Sequence, residues 1–342
     1  MLDIHMFSSA TKVKGQGVGS AYLELIRLLE EHHADSMKVS INKFGKADIS
    51  HYHTIDPLFY LSTMRPGHGT RIGYVHFLPE TLEGSLKIPQ PFRSIFYHYV
   101  IAFYKKMDAI VVVNPSFIPK LSAYGISEDR ITYIPNFVSS SEFYEMETSE
   151  KMLLRKKLKI SEEDFVVVGV GQLQERKGVF DFIELAKRHP EIKFIWVGGF
   201  SFGKMTDGYE ELKKVVENPP DNLCFPGIVD RNQMNKYYNM ADLFLLPSFN
   251  ELFPMSVLEA CSTNTPVMLR DLSLYHSIIA GKYEPCKDLS EMDEKLTVLV
   301  SSPKRIAELK GFARDVSKEY SEERLASIWQ RYYECQARKS SK

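Results

Sequence analysis

A chain of 342 residues exceeds one ordinary core and is comfortable for two domains. With 44% hydrophobic and 25% charged residues it reads as a soluble globular protein, and a formal net charge of −1 gives no basic field for nucleic acid. Cys224, Cys261, Cys286 and Cys335 are scattered, which points to neither a disulfide framework nor a zinc site and fits a reducing cytoplasm.

Met1 to Phe7 runs directly into a strand-like segment with no basic stretch ahead of an apolar core, so no signal peptide is expected. No apolar run approaches the length of a membrane span. The first predicted strand, Asp3 to Phe7, leads into Ser8-Ser9-Ala10-Thr11-Lys12-Val13-Lys14-Gly15-Gln16-Gly17-Val18-Gly19. Glycines there allow the backbone to approach phosphate or sugar closely, or serve only as a turn. The Gly-x-Gly-x-Gly spacing differs from the dinucleotide fingerprint, and no acid is placed for a nicotinamide ribose.

Further strands are predicted at Lys38 to Ile41, Ile49 to His53, Ile72 to His76, Ala109 to Asn114 and Ile131 to Pro135. His76 closes the third of these as a ligand contact or as a satisfied core histidine, with His51 and His53 as weaker alternatives. From Pro91 a helix is expected. Phe92, Phe96, Tyr99 and Phe103 share one face, and Tyr97, Ile101 and Tyr104 another. One face must pack on the sheet. The other, beside Arg93, Lys105 and Lys106, suits a membrane interface, and a fully buried core helix is the competing reading. Residues 36–127 hold ten Lys or Arg against five acids, a local basic balance that attracts anionic headgroups.

The polar stretch Asn136 to Glu150 reads as a linker, followed by a helix near Lys151 to Leu158. The strand pattern then restarts at Phe165 to Gly171, Lys193 to Gly198, Leu223 to Pro226, Leu243 to Pro247 and Pro266 to Leu269. Strands alternating with helices imply parallel sheets. The restart strand ends in Gly171-Gln172-Leu173-Gln174-Glu175-Arg176-Lys177-Gly178. Its adjacent cations and the helix start after it suit a diphosphate, or form an exposed basic turn. Pro226-Gly227-Ile228-Val229-Asp230 joins a strand to a polar helix. A last helix is expected over Glu319 to Gln336, with Lys339 to Lys342 as a frayed tail.

The most informative segment is Phe249-Asn250-Glu251-Leu252-Phe253-Pro254-Met255-Ser256-Val257-Leu258-Glu259-Ala260. An apolar strand precedes it, Glu251 falls in the loop, Pro254 suits a first helical turn, and Glu259 rides on an apolar helix. Two acids therefore stand outside the carboxyl end of a strand, where open α/β sheets bind ligands.

This unit resembles the two-glutamate signature of the retaining GT-B glycosyltransferases of family 4. The resemblance implies an α/β fold of two Rossmann-like lobes with parallel sheets facing across a cleft. Residues 1–145 would form an acceptor- and membrane-facing lobe and 146–318 a nucleotide-sugar-binding lobe. Residues 319–342 would form a helix and tail crossing back to the first lobe. By the same resemblance Glu259 holds the donor ribose and Glu251 faces the transferred sugar, with His76 lining the acceptor side. Lys177 matches the family's diphosphate lysine. The family's arginine position holds Gln172, and Arg176 is expected to supply part of the missing charge. Gly17 and Gly19 would close over the donor, Ile228 and Val229 hold the base, and the backbone N–H groups of Met255, Ser256 and Val257 bind donor oxygens. Pro254 stands where the family commonly has glycine, which removes one N–H.

A finer resemblance, to bacterial diglycosyl diacylglycerol synthases, is carried by Lys14-Gly15-Gln16-Gly17-Val18-Gly19-Ser20-Ala21-Tyr22 and Tyr74-Val75-His76-Phe77-Leu78-Pro79-Glu80. It implies a hexosyltransferase that moves glucose or galactose from a UDP-sugar to monoglucosyl diacylglycerol. The enzyme would be cytoplasmic and peripherally attached to the inner face of the cell membrane through Phe92, Arg93, Phe96, Tyr97, Lys105 and Lys106. No cofactor is expected. The sequence has no Asp-x-Asp, so no metal is expected at the diphosphate. Three other readings are retained: a transferase for a soluble or polyprenyl-linked acceptor, a UDP-sugar epimerase, and a non-catalytic nucleotide-sugar binding protein.

Overall fold

The computed structural model describes residues 1–10, 17–79, 89–200, 203 and 208–340. The chain forms two compact units, residues 1–137 with 320–342, and residues 138–319.

The first unit runs β1 (Leu2–Phe7), α1 (Gly17–His33), β2 (Met37–Ile41), β3 (Ile49–Tyr52), α2 (Pro57–Ser62), β4 (Thr70–Val75), α3 (Phe92–Lys105), β5 (Ala109–Val112), α4 (Phe117–Ala123) and β6 (Ile131–Tyr133). Its sheet has the order β2-β1-β3-β4-β5-β6 with every pairing parallel. The Ala-Ile-Val-Val of β5 is buried throughout, as a strand covered on both faces requires.

The second unit runs α5 (Thr148–Lys157), β7 (Val166–Val170), α6 (Val179–Arg188), β8 (Lys193–Val197), α7 (Tyr209–Glu217), β9 (Leu223–Gly227), α8 (Arg231–Met240), β10 (Leu243–Leu246), α9 (Met255–Ser262), β11 (Val267–Arg270), α10 (Ser273–Ile278), β12 (Glu284–Cys286), α11 (Leu289–Val300) and α12 (Pro303–Glu319). The strand order is β12-β11-β10-β7-β8-β9, all parallel. That is the doubly wound order of dinucleotide-binding sheets, and it reverses between β7 and β10. The last helix, α13 (Glu322–Ser340), belongs to the first unit and packs on α1.

Several details depart from the sequence reading. β12 was not expected: it has three residues, Pro285 among them, and lies at the sheet edge where proline is tolerated. Gly17 and Gly19 form the first turn of α1 rather than a loop, and a Cβ on Gly19 would sit 3.2 Å from the Ala10 carbonyl oxygen. Residues 11–16 of that segment lie outside the described residues, as does Glu80. Residues 138–145 fall in the second unit rather than the first. Tyr144 N donates to Asn235 at 3.2 Å, Met146 N donates to Asn239 at 2.8 Å, and Phe143 is buried. α13 continues to Ser340, through part of the expected tail.

Candidate active site

In the second unit the chain leaves β7 and β10, the two strands flanking the reversal, through loops that are tied together. Phe249 N donates to the Arg176 carbonyl at 2.9 Å, and Arg176 Nη1 donates to the Asn250 carbonyl at 2.6 Å. Gly178 closes the first loop at φ +71°, with Pro247 O only 2.1 Å from where a Cβ would stand, so no other residue fits. Across this junction Lys177 Nζ donates to Glu251 Oε1 at 2.5 Å, with 13% and 5% of the two side chains exposed. Burial pushes the Glu251 carboxyl up, but Lys177, Arg176 and a hydrogen bond from Ser248 outweigh it and hold the group below the ordinary glutamate range. Burial, with the Arg176 charge, lowers the Lys177 ammonium against the pull of Glu251. Arg176 Nε is buried and, among the described residues, has no acceptor. Burial raises the Tyr275 hydroxyl far above its usual range, Glu251 adding to this, and that oxygen has no partner among the described residues.

The second glutamate faces another way. Glu259 is buried on α9 and accepts from Tyr238 Oη at 2.5 Å and from Arg231 Nη1 at 3.1 Å, through different carboxylate oxygens. Each oxygen keeps a further lone pair. Arg231 also bonds Glu142 at 2.7 Å, so the carboxylate is held in one orientation. Met255, Ser256 and Val257 open α9 after Pro254, and the Val257 N–H already bonds the Pro254 carbonyl at 3.1 Å. Ile228 is exposed and Val229 half-buried beyond β9. Gly198, at φ +142° with Gly171 O at 1.8 Å from a would-be Cβ, lets the ends of β7 and β8 meet closely.

In the first unit His76 is buried just past β4, in a cluster of rings. Its ring centroid lies 4.4 Å from Tyr74 and 5.8 Å from His53, and His53 lies 4.2 Å from His51. His51 Nδ1 pairs with the Tyr333 hydroxyl at 2.8 Å. Both ring nitrogens of His53 and Nε2 of His76 lack partners among the described residues. Burial holds His51 and His76 down at about 3 and His53 far below its usual value. All three are neutral imidazoles at ordinary pH. His51 and His53, read as alternatives to His76, are thus its neighbours.

Helix α3 divides along its length rather than by faces. Phe92 and Arg93 are exposed, Phe96 and Tyr97 half-buried, and Val100, Phe103 and Tyr104 buried, before Lys105 and Lys106 emerge. The sequence reading missed α2, which packs on α3 through Tyr60 and Tyr99 (centroids 5.7 Å apart) and exposes Leu58 and Leu61, with Met64 just beyond. Six residues carry too little periodicity to announce a helix. Tyr238, Arg231 and Tyr275 were missed as well. Among the described residues only Glu31, His32 and Glu322 have metal-ligand spacing. They lie at the end of α1 and the start of α13, in the first unit, and two are exposed.

Two parallel doubly wound units, one with paired cations and a buried carboxylate at its strand reversal, place the chain in the two-Rossmann fold class. Residues 150–314 match the family model described as glycosyl transferases group 1, and residues 16–142 match glycosyltransferase family 4. The chain is 52% identical to an alpha-galactosylglucosyldiacylglycerol synthase of Streptococcus pneumoniae, over 98% of this chain and 90% of that one. It is 30% identical to a processive diacylglycerol alpha-glucosyltransferase of Acholeplasma laidlawii, over 64% of this chain and 69% of that one. Among solved structures it resembles the sucrose-phosphate synthase of Thermosynechococcus elongatus, with TM-score 0.79 and 15% identity over 98% of both chains. It also resembles Anabaena HepE in complex with UDP-glucose, with TM-score 0.75 and 13% identity over 98% of this chain and 100% of that one. The fold is GT-B. The chain belongs to the family 4 glycosyltransferases and is a hexosyltransferase.

Proposed function

We propose that this enzyme transfers galactose from UDP-galactose to monoglucosyl diacylglycerol and retains the anomeric configuration. The pneumococcal relative's name supports the galactose and the acceptor, and UDP-glucose is the runner-up donor. The observation that carries the chemistry is the buried Lys177–Glu251 pair at the β7/β10 reversal. On donor binding the diphosphate takes Lys177, together with Arg176 Nε–H and the N–H groups that open α9. Glu251, released, accepts from hydroxyls of the hexose. Glu259 receives the ribose hydroxyls on its remaining lone pairs. Ile228 and Val229 hold the base, Gly17 and Gly19 approach the donor, and His76, a neutral imidazole, lines the acceptor side.

The acceptor hydroxyl oxygen bonds to the anomeric carbon as the bond from that carbon to the UDP oxygen breaks. The hydroxyl proton passes to the departing phosphate on the same face. Positive charge on Arg176 and Lys177 and the α9 dipole stabilise the leaving diphosphate without a metal or other cofactor.

The acceptor lies in a bilayer, and the exposed apolar residues of α2 and α3 support peripheral attachment at the inner face of the membrane. Leu58, Leu61, Met64, Phe92 and Ile95 are 56–70% exposed on or just after two helices packed together, with Arg93 among them and Lys105 and Lys106 exposed at the far end of α3. Among the described residues no helix is long and apolar enough to cross a membrane. The test is incubation of UDP-galactose or UDP-glucose with liposomes carrying monoglucosyl diacylglycerol, with mass spectrometry of the lipid. A lipid heavier by one hexose from UDP-galactose supports the reading. Donor turnover that leaves the lipid unchanged overturns it.

A further inference from the structure

The loop after β10 holds an aromatic ring that the steps above leave unused. Phe249 is 53% exposed, and one face of its ring is covered by the Arg270 guanidinium, 4.1 Å from the centroid. Arg270 cannot move away. It is buried, its Nε donates to Pro247 O at 3.0 Å, its Nη1 to Lys287 O at 3.1 Å, and its Nη2 to the Asp181 carboxylate. The Phe249 backbone is fixed by its bond to Arg176 O. A single exposed apolar side chain is ordinary on a protein surface. This one differs because its ring is clamped from behind, open in front, and two residues before Glu251 at the strand reversal.

We infer that the open face of Phe249 is a stacking platform for a hexopyranose ring. A pyranose carries its hydroxyls around the rim and C–H groups on its faces, so a flat apolar surface complements the face while Glu251 serves the rim. The negative face of the ring attracts those C–H groups. A ring already held by a cation loses little freedom when a ligand covers it. The inference rests on the proposed hexosyl transfer, in which the donor hexose and the glucosyl group of the acceptor offer the same chemistry.

Initial rates of Phe249→Ala, measured against donor and acceptor separately, distinguish the two sources. The expected result is a roughly three- to tenfold rise in one of the two KM values, with UDP affinity by calorimetry and Tm unchanged. A rise in the donor KM assigns the donor hexose, and a rise in the acceptor KM assigns the glucosyl group. Phe249→Tyr restores the wild-type value if stacking is the cause. Both KM values unchanged in Phe249→Ala, or restoration by Phe249→Leu as complete as by Phe249→Tyr, overturns the platform while transfer by the wild type stands. A wild type inactive on every lipid instead sinks the functional reading. Stacking is then read by saturation-transfer NMR with methyl galactoside and methyl glucoside. A signal lost in Phe249→Ala and kept in Phe249→Tyr supports the platform, and equal signals in wild type and Phe249→Ala overturn it.

Discussion

Lys177 and Glu251, from loops after two different strands of the second unit, neutralise each other across 2.5 Å in a nearly dry environment. The residues expected to hold the diphosphate and the sugar are therefore each other's counterions when no donor is bound. A ligand that separates them must offer both an anion for the lysine and hydroxyl donors for the carboxylate, which a nucleotide sugar does and a free nucleotide does only in part.

Removing one partner leaves a buried charge uncompensated. Lys177→Met should lower stability by about 3–5 kcal/mol, and Lys177→Met with Glu251→Gln should recover most of the loss. Chemical denaturation of the two variants checks this. A single variant as stable as the wild type would mean that the pair opens to water.

Tyr238→Phe removes the hydroxyl that orients Glu259 while keeping the ring packed against Phe143 and Phe244. The loss of a donor to a buried carboxylate should cost about 1–3 kcal/mol. The donor KM should rise while the acceptor KM stays put. Steady-state kinetics with both substrates varied decides, and a rise confined to the acceptor would remove Glu259 from the donor site.

The buried histidines set an acid limit on stability. In the unfolded chain each titrates near 6.5, whereas burial keeps His51 and His76 neutral down to about 3 and holds His53 well below its usual value. Below pH 6.5 the unfolded state then binds more protons than the folded one. Stability present above that pH is lost as pH falls, by up to about 4 kcal/mol per pH unit for the three together. Tm followed from pH 7 to pH 4 should drop steeply, and less steeply in His53→Phe. A flat profile would place these rings in water.

Leu58→Ser, Leu61→Ser and Ile95→Ser act on exposed positions and should leave Tm unchanged. Each removes roughly 1 kcal/mol or more of apolar burial at a bilayer, so the triple variant should bind anionic vesicles at least tenfold more weakly in sedimentation. Unchanged binding would move the membrane contact elsewhere.

The strands of both sheets were legible where they are buried on both faces, as in the Val-Val-Val-Gly-Val of β7, because such segments read as unbroken apolar runs. The loops that carry chemistry were legible from their place after strands. The pairing of Lys177 with Glu251 was not, since 74 residues separate them and only the adjacency of β7 and β10 brings them together. Tyr238 was hidden because α8 reads as a polar helix, although its tyrosine is fully buried. The gathering of His51, His53 and His76 into one ring cluster depends on the parallel pairing of β3 and β4, which no single segment encodes.

The measurement closest to the central claim is UDP release from UDP-galactose by wild type and by Glu251→Gln, with and without liposomes carrying monoglucosyl diacylglycerol. The account predicts release that depends on the acceptor lipid in the wild type and falls by about 10²–10³-fold in Glu251→Gln, assayed at a temperature where circular dichroism shows the variant folded. Release by Glu251→Gln at the wild-type rate, or release indifferent to the lipid, would contradict it.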